Sequence, residues 1–158
     1  MDYSTFCSQV AKKLNESEDE LFRKADQKDI DYLKSSKYPD CIIEFYSQYE
    51  PQEEIEIDGV RLPTIMGLKD LNENAVPCCE FYELGLGYRG IAETYCGEHF
   101  LINVNNEQSI IYAALDVIEP DEDYTNDEIM SKLKKVTDSF DEFLEKFVKE
   151  KLPTGFYD

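Results

Sequence analysis

The chain has 158 residues, enough for one domain around one core, and sets 35 Asp+Glu against 16 Lys+Arg for a formal charge of −19. So acidic a surface repels phosphate backbones and anionic lipid, which excludes nucleic acid and membrane surfaces as partners. The 42% apolar content, with 11 Tyr and 9 Phe, supplies the buried area that acidic disordered chains lack, so the charge belongs to the skin of a folded domain.

The opening MDYSTFCSQV has no cationic stretch followed by an apolar run. No apolar run approaches the roughly 18 residues of a membrane helix, and the expectation is a soluble, cytoplasmic protein. Cys7, Cys41, Cys78, Cys79 and Cys96 are odd in number and lack the spacing of a disulfide framework. They read as reduced thiols, mostly in the core.

In chain order, the first 35 residues predict helices. Phe6, Val10 and Leu14 recur every fourth position, Asn15 breaks the run, and Ser17 to Glu20 has capping-box spacing ahead of Leu21, Phe22 and Ala25. Ile30 and Leu33 mark a short third piece. Pro39 then stands at the first turn of a helix whose stripe is Ile42, Phe45, Tyr46 and Tyr49, and Pro51 ends it. Beyond it the period changes from 3.6 to 2: Ile55 and Ile57 alternate with Glu54 and Glu56, Asp58-Gly59 is a hairpin turn, and Val60 and Leu62 begin the return strand. Pro63 predicts an edge position for that strand.

A helical scrap at Leu68 to Asn72 and an irregular stretch with Pro77-Cys78-Cys79 lead to strands at Ile91–Tyr95 and Phe100–Val104, with Cys96-Gly97-Glu98 as their turn. Asn105-Asn106 is a further turn, and Ser109–Leu115 is a mostly buried strand. The acidic segment Asp116–Glu128 closes the sheet region. A last helix carries Ser139 and Glu142 at capping-box spacing, an apolar face of Phe140, Phe143, Leu144, Phe147 and Val148, and Glu142/Lys146 and Glu145/Lys149 pairs before Pro153. The fold class is α+β: a single domain over 1–158 with a central antiparallel sheet of about 4–6 strands, N-terminal helices and one C-terminal amphipathic helix.

No motif supports catalysis. Gly85-Leu86-Gly87-Tyr88-Arg89-Gly90 matches G-x-G-x-x-G, but a strand rather than a helix N-terminus follows it, so the glycines are read as turn residues or points of close backbone approach. Cys96-x-x-His99 could be half a zinc site with Cys78 and Cys79, but adjacent cysteines do not easily share a tetrahedral ion. The simpler reading is a turn cysteine and a surface imidazole. Asp121, Asp123, Thr125 and Asp127 have calcium-loop spacing, yet the sixth and twelfth positions hold Asn126 and Lys132 in place of glycine and glutamate. No enzyme activity, metal or cofactor is expected.

Charge is the more informative signal. Between Gly90 and Ser131 there is no Lys or Arg, while ten acids accumulate: Glu93, Glu98, Glu107, Asp116, Glu119, Asp121, Glu122, Asp123, Asp127 and Glu128. A second run, Glu50 to Asp58, carries five more. Either these form a solvated face that confers solubility, or they form a docking surface for a basic partner.

Tyr38-Pro39, Ile43-Glu44-Phe45-Tyr46 with Glu50-Pro51, Gly90-Ile91-Ala92-Glu93-Thr94 with Cys96-Gly97-Glu98, and Asp138-Ser139-Phe140-Asp141-Glu142-Phe143-Leu144, in that order, resemble the SUKH superfamily of SMI/KNR regulators and many bacterial proteins. The resemblance runs from Ala25 to Phe147 and leaves the first 24 residues as an extra helical segment; the chain also lacks the Trp that many members carry. It implies a non-enzymatic binding domain, an immunity protein that neutralises a cognate toxin, often a nuclease. The alternative is a regulatory scaffold in cell-envelope or signalling assemblies. For the partner surface the candidates are Glu119, Asp121, Glu122, Asp123 and Asp127 for charge, with Tyr124 as an aromatic anchor. The expected partner is a basic protein, and the expected state a monomer or a weak homodimer joined through the Asp58-Gly59 hairpin edge.

Overall fold

The computed structural model describes residues 2–75, 78–83, 87–105, 110–113, 125, 127, 128, 131 and 133–154. Helix α1 (Tyr3–Leu14) starts where the Asp2 carboxylate accepts from the Ser4 N–H and stops at Asn15, whose φ of 54° is left-handed. Ser17 caps α2 (Glu18–Leu21) by accepting from the Glu20 N–H, as its spacing predicts. The two-residue strand β1 (Phe22–Arg23) pairs with β2 (Glu50–Pro51), and between them run α3 (Gln27–Ser35) and α4 (Asp40–Tyr49). Pro39 occupies the N-cap of α4 rather than its first turn, and the helix begins there without a side-chain cap.

The main sheet is an antiparallel meander of six strands in sequential order: β3 (Ile55–Ile57), β4 (Val60–Leu62), β5 (Tyr88–Thr94), β6 (His99–Asn103), β7 (Ile110–Ala113) and β8 (Lys134–Thr137). The β3–β4 turn places Asp58 at φ 50° and Gly59 at φ 79°, the paired left-handed residues of a tight hairpin. The edge assignment of β4 is corrected: β4 pairs on both sides, with β3 and β5, and Pro63 lies just past its end. The edge strands are β3 and β8. Sequence period misses β8, because Lys134 and Lys135 are exposed and a short charged edge strand has no apolar alternation to display.

Two helices interrupt the sheet, α5 (Ile65–Asn74) and α6 (Cys78–Glu83). The scrap expected at Leu68 is therefore a ten-residue helix. Thr64 starts it by accepting from the Gly67 N–H at 3.1 Å, and it buries Ile65, Leu68, Leu71 and Asn72. Gly90, inside β5, is a point of close approach: a Cβ there would stand 3.1 Å from Cys78 Sγ and 3.2 Å from Leu71 Cβ. Gly87 has φ 82°. Tyr88, Arg89 and Gly90 belong to the strand itself, so no phosphate loop forms on them.

The main core gathers α1, α4 and α7 (Phe140–Val148) against the sheet. Phe45 is its centre, with ring centroids of Tyr3, Phe6, Tyr46 and Phe140 at 5.3, 5.6, 5.2 and 5.6 Å. β6 is apolar on both faces because both are covered: Phe100 and Ile102 join this core, while Leu101 joins Leu71, Cys78, Phe81 and Tyr88 under α5 and α6. Helix α7 realises its sequence signals in full. Ser139 Oγ accepts from the Glu142 N–H at 3.0 Å, the Glu142 carboxylate accepts from the Asp138 N–H at 3.0 Å, and its five expected apolar residues are buried. Among the described residues no helix is long and apolar enough to cross a membrane.

Candidate partner-binding surface

The acidic run from Glu50 to Asp58 divides between interior and surface. Glu50 is only 1% exposed. Its carboxylate accepts from Arg23 Nε at 2.9 Å and, through the other oxygen, from the Ile65 N–H at 2.9 Å, at the positive end of α5. It is a structural acid, tying β1–β2 to α5. Three residues on, the chain emerges: Glu53, Glu54 and Glu56 are exposed, while Ile55 and Ile57 point inward.

Opposite them stands the α1–α2 turn. The Gln52 N–H donates to the Leu21 carbonyl at 2.9 Å, and Gln52 Nε2 donates to the carbonyls of Asp19 and Phe22, which pins the approach to β3 against α2. A groove of about 380 Å³ results, lined by Glu16, Glu20, Glu53, Glu54 and Glu56 above Leu14, Leu21 and Ile55. Arg61 on β4 pairs with two of these carboxylates, its Nε 2.9 Å from Glu56 and 3.7 Å from Glu54. Its hydrogen bond to Glu56 pushes the guanidinium pKa up, and neighbouring Glu54 adds to this. β3 pairs only with β4, so its outer edge borders the groove without a partner strand among the described residues.

Of the candidate residues drawn from the sequence, Glu119, Asp121, Glu122, Asp123 and Tyr124 lie outside the described residues; Asp127 is exposed, in a helical turn with Glu128. The longer acidic stretch is not all surface either. Glu98 is fully buried, and Glu93 is 3.7 Å from His99 Nε2 with a side chain 28% exposed. The reading of His99 as a surface imidazole is corrected: it is 3% exposed, in β6 against Glu93 of β5 and Ala113 of β7. A five-residue strand paired on both sides encloses even its polar first residue. Cys78 is buried and Cys96 exposed, and among the described residues no group of three or more His, Cys, Asp or Glu could hold a metal ion.

A second polar concentration lies inside, and the sequence did not announce it. Asn72, fully buried on α5, donates to Tyr38 Oη at 2.8 Å and Tyr32 Oη at 3.2 Å, and accepts from the Gly90 N–H at 2.9 Å; Tyr38 Oη donates to the Gly90 carbonyl at 2.6 Å. Burial drives the Tyr38 phenol well above its ordinary pKa, so it remains a neutral donor. Beside it Arg89 threads between strand and helix, held by backbone carbonyls. Tyr38, Phe45, Tyr46, Glu50, Gly90 and Ser139, on which the SUKH resemblance rests, all serve packing or internal hydrogen bonds here. No family model matches the chain, and no curated protein matches it in sequence.

Proposed function

We propose that the chain is a stoichiometric inhibitor of a basic protein: an immunity protein of SUKH type that neutralises a toxin domain, above all a nuclease, through its acidic surface. The observation that carries this reading is the groove beside β3, lined by five exposed glutamates of which two, Glu54 and Glu56, pair with Arg61, on a chain of net charge −19. A nuclease site is built to attract phosphates. Carboxylates on a packed scaffold can occupy it or its approach as phosphate mimics, gaining speed and selectivity from complementary fields. The acidic segment containing Glu119, Asp121, Glu122, Asp123 and Asp127 belongs to the same proposal, with Tyr124 as its anchor.

The test is binding to a basic toxin domain encoded beside the chain. Tight 1:1 association that weakens steeply with salt, and rescue of growth on co-expression, are the expected results. E16Q/E20Q/E53Q and D121N/E122Q/D123N separate the two acidic regions; the one that meets the toxin should slow association about tenfold at low salt. Unchanged rates in both variants would overturn acidic docking. Turnover of any substrate by the purified chain would overturn the inhibitor reading itself.

A further inference from the structure

Positive charge is as unevenly placed on this chain as negative charge. A second groove, of about 490 Å³, is lined by Lys134, Lys135, Lys146 and Lys151 against two acids, Asp58 and Glu150. It lies where edge strand β8 meets the end of α7, and Lys146 Nζ donates across it to the Val136 carbonyl at 3.4 Å. Lys135 pairs with Asp138, and Lys146 is 3.5 Å from Glu142; Lys151 is exposed and makes no ion pair among the described residues. The lysine groove and the glutamate groove are neighbours. Lys13 lies 3.5 Å from Glu150, which joins the end of α1, whose Leu14 lines the glutamate groove, to the segment after α7 that lines the lysine groove. The β3–β4 hairpin contributes to both, Glu56 to the one and Asp58 to the other. Opposite charges set side by side are self-complementary under a two-fold rotation. A half-turn about an axis between the grooves brings each lysine groove onto the glutamate groove of a second copy, and every attractive pair then occurs twice.

We propose that two copies of the chain associate in this way, as a closed two-fold dimer joined by its neighbouring grooves. Charge without an ion pair among the described residues stands on both sides of the contact: Glu16, Glu20 and Glu53 on one copy, Lys151 on the other. The net charge of −19 opposes self-association at long range. At 0.15 M salt, however, the screening length is about 8 Å, so acids on the outer faces of the dimer hardly feel one another while charges in contact keep their attraction. Exposed ion pairs are individually weak, which sets the expected dissociation constant at about 10–100 µM. The dimer does not rest on the inhibitor reading. It uses the same glutamate groove, so a basic partner that docks there has to displace the second copy.

The test is sedimentation equilibrium of the purified chain alone, loaded at about 5–500 µM to bracket that constant. A monomer–dimer equilibrium with no larger species is expected. It should be tightest near 0.15 M salt and weaker both at about 0.01 M, where the screening length of about 30 Å lets whole-chain repulsion act, and at about 1 M, where contacts themselves are screened. K134E/K151E makes both grooves acidic and E16K/E53K turns the glutamate groove basic, so each variant alone should dimerise about tenfold or more weakly. Mixed together, the two should recover association as a heterodimer, because each reversed groove then faces an opposite one. If either double variant melts well below wild type, K151E and E53K carry the same comparison with one charge reversed on each side. A chain that stays monomeric throughout, species larger than a dimer, a dimer that both reversals leave intact (as pairing of β3 edges alone would give), or a mixture no better associated than its components would each overturn the proposal.

Discussion

Glu50 and Glu53 are three residues apart, have the same side chain, and belong to different worlds. Glu50 is enclosed and receives two hydrogen bonds from elements far away in sequence, so its carboxylate is part of the architecture. Glu53, with Glu54 and Glu56, faces water beside a strand edge that has no partner among the described residues, where a carboxylate contributes field and little stability. A charge run counted in sequence therefore overstates the surface charge it delivers. The same division separates Asn72, buried at the junction of α3, α5 and β5, from the exposed acids on the outside of the molecule. Substitutions on the two sides should behave oppositely: interior ones lower stability, exterior ones alter association.

The largest effect is expected from Asn72→Ala. It strands the enclosed Gly90 N–H without an acceptor and takes a partner from Tyr38 and Tyr32. The expected loss is about 3 kcal/mol in denaturant unfolding, which for a chain of this size lowers the melting temperature by about 2–4 °C per kcal/mol. Glu50→Gln comes next. An amide can still accept from one of its two donors but turns an NH2 toward the other, and about 2 kcal/mol should be lost. Most of that belongs to the buried Ile65 N–H, because the Arg23 side chain is 51% exposed and water replaces its partner. Ser139→Ala removes the N-cap of α7 and should cost about 1 kcal/mol. If Glu50→Gln proved as harmless as a surface change, the distinction between interior and exterior glutamates would collapse.

What could be read in advance follows the same physics. Helices α1, α4 and α7 were legible because each lays a run of large apolar side chains on one face and has a terminator, and the β3–β4 hairpin was legible because Asp-Gly suits two consecutive left-handed residues. β8 was not, since an edge strand of exposed lysines needs no alternation, and α5 was read too short because Gly67, a poor helix former, stands in its first turn just after Pro63-Thr64. The role of Asn72 depends on Tyr38 and Gly90, 34 and 18 residues away, and no local pattern records such a meeting. The candidate site shows a parallel split. Acidity as such was legible, but the groove brings Glu16 and Glu20 of the α1–α2 turn to Glu53, Glu54 and Glu56 of the β3 edge, a pairing that only the β1–β2 ribbon and Gln52 create.

The smallest expected effect on stability is the most informative about the surface. Glu16, Glu20 and Glu53 make no ion pair among the described residues, unlike Glu54 and Glu56, which share Arg61. Converting the three to glutamine removes three like charges from one groove without breaking a bridge, so unfolding free energy should stay within about 0.5 kcal/mol of wild type, with any shift toward greater stability. The gain should fade as salt is raised, because repulsion between exposed charges is screened within about 10 Å at 0.1 M. A loss of 2 kcal/mol or so instead would mean that these glutamates are held in the fold as Glu50 is, and the groove would then be a structural joint rather than a surface open to a partner.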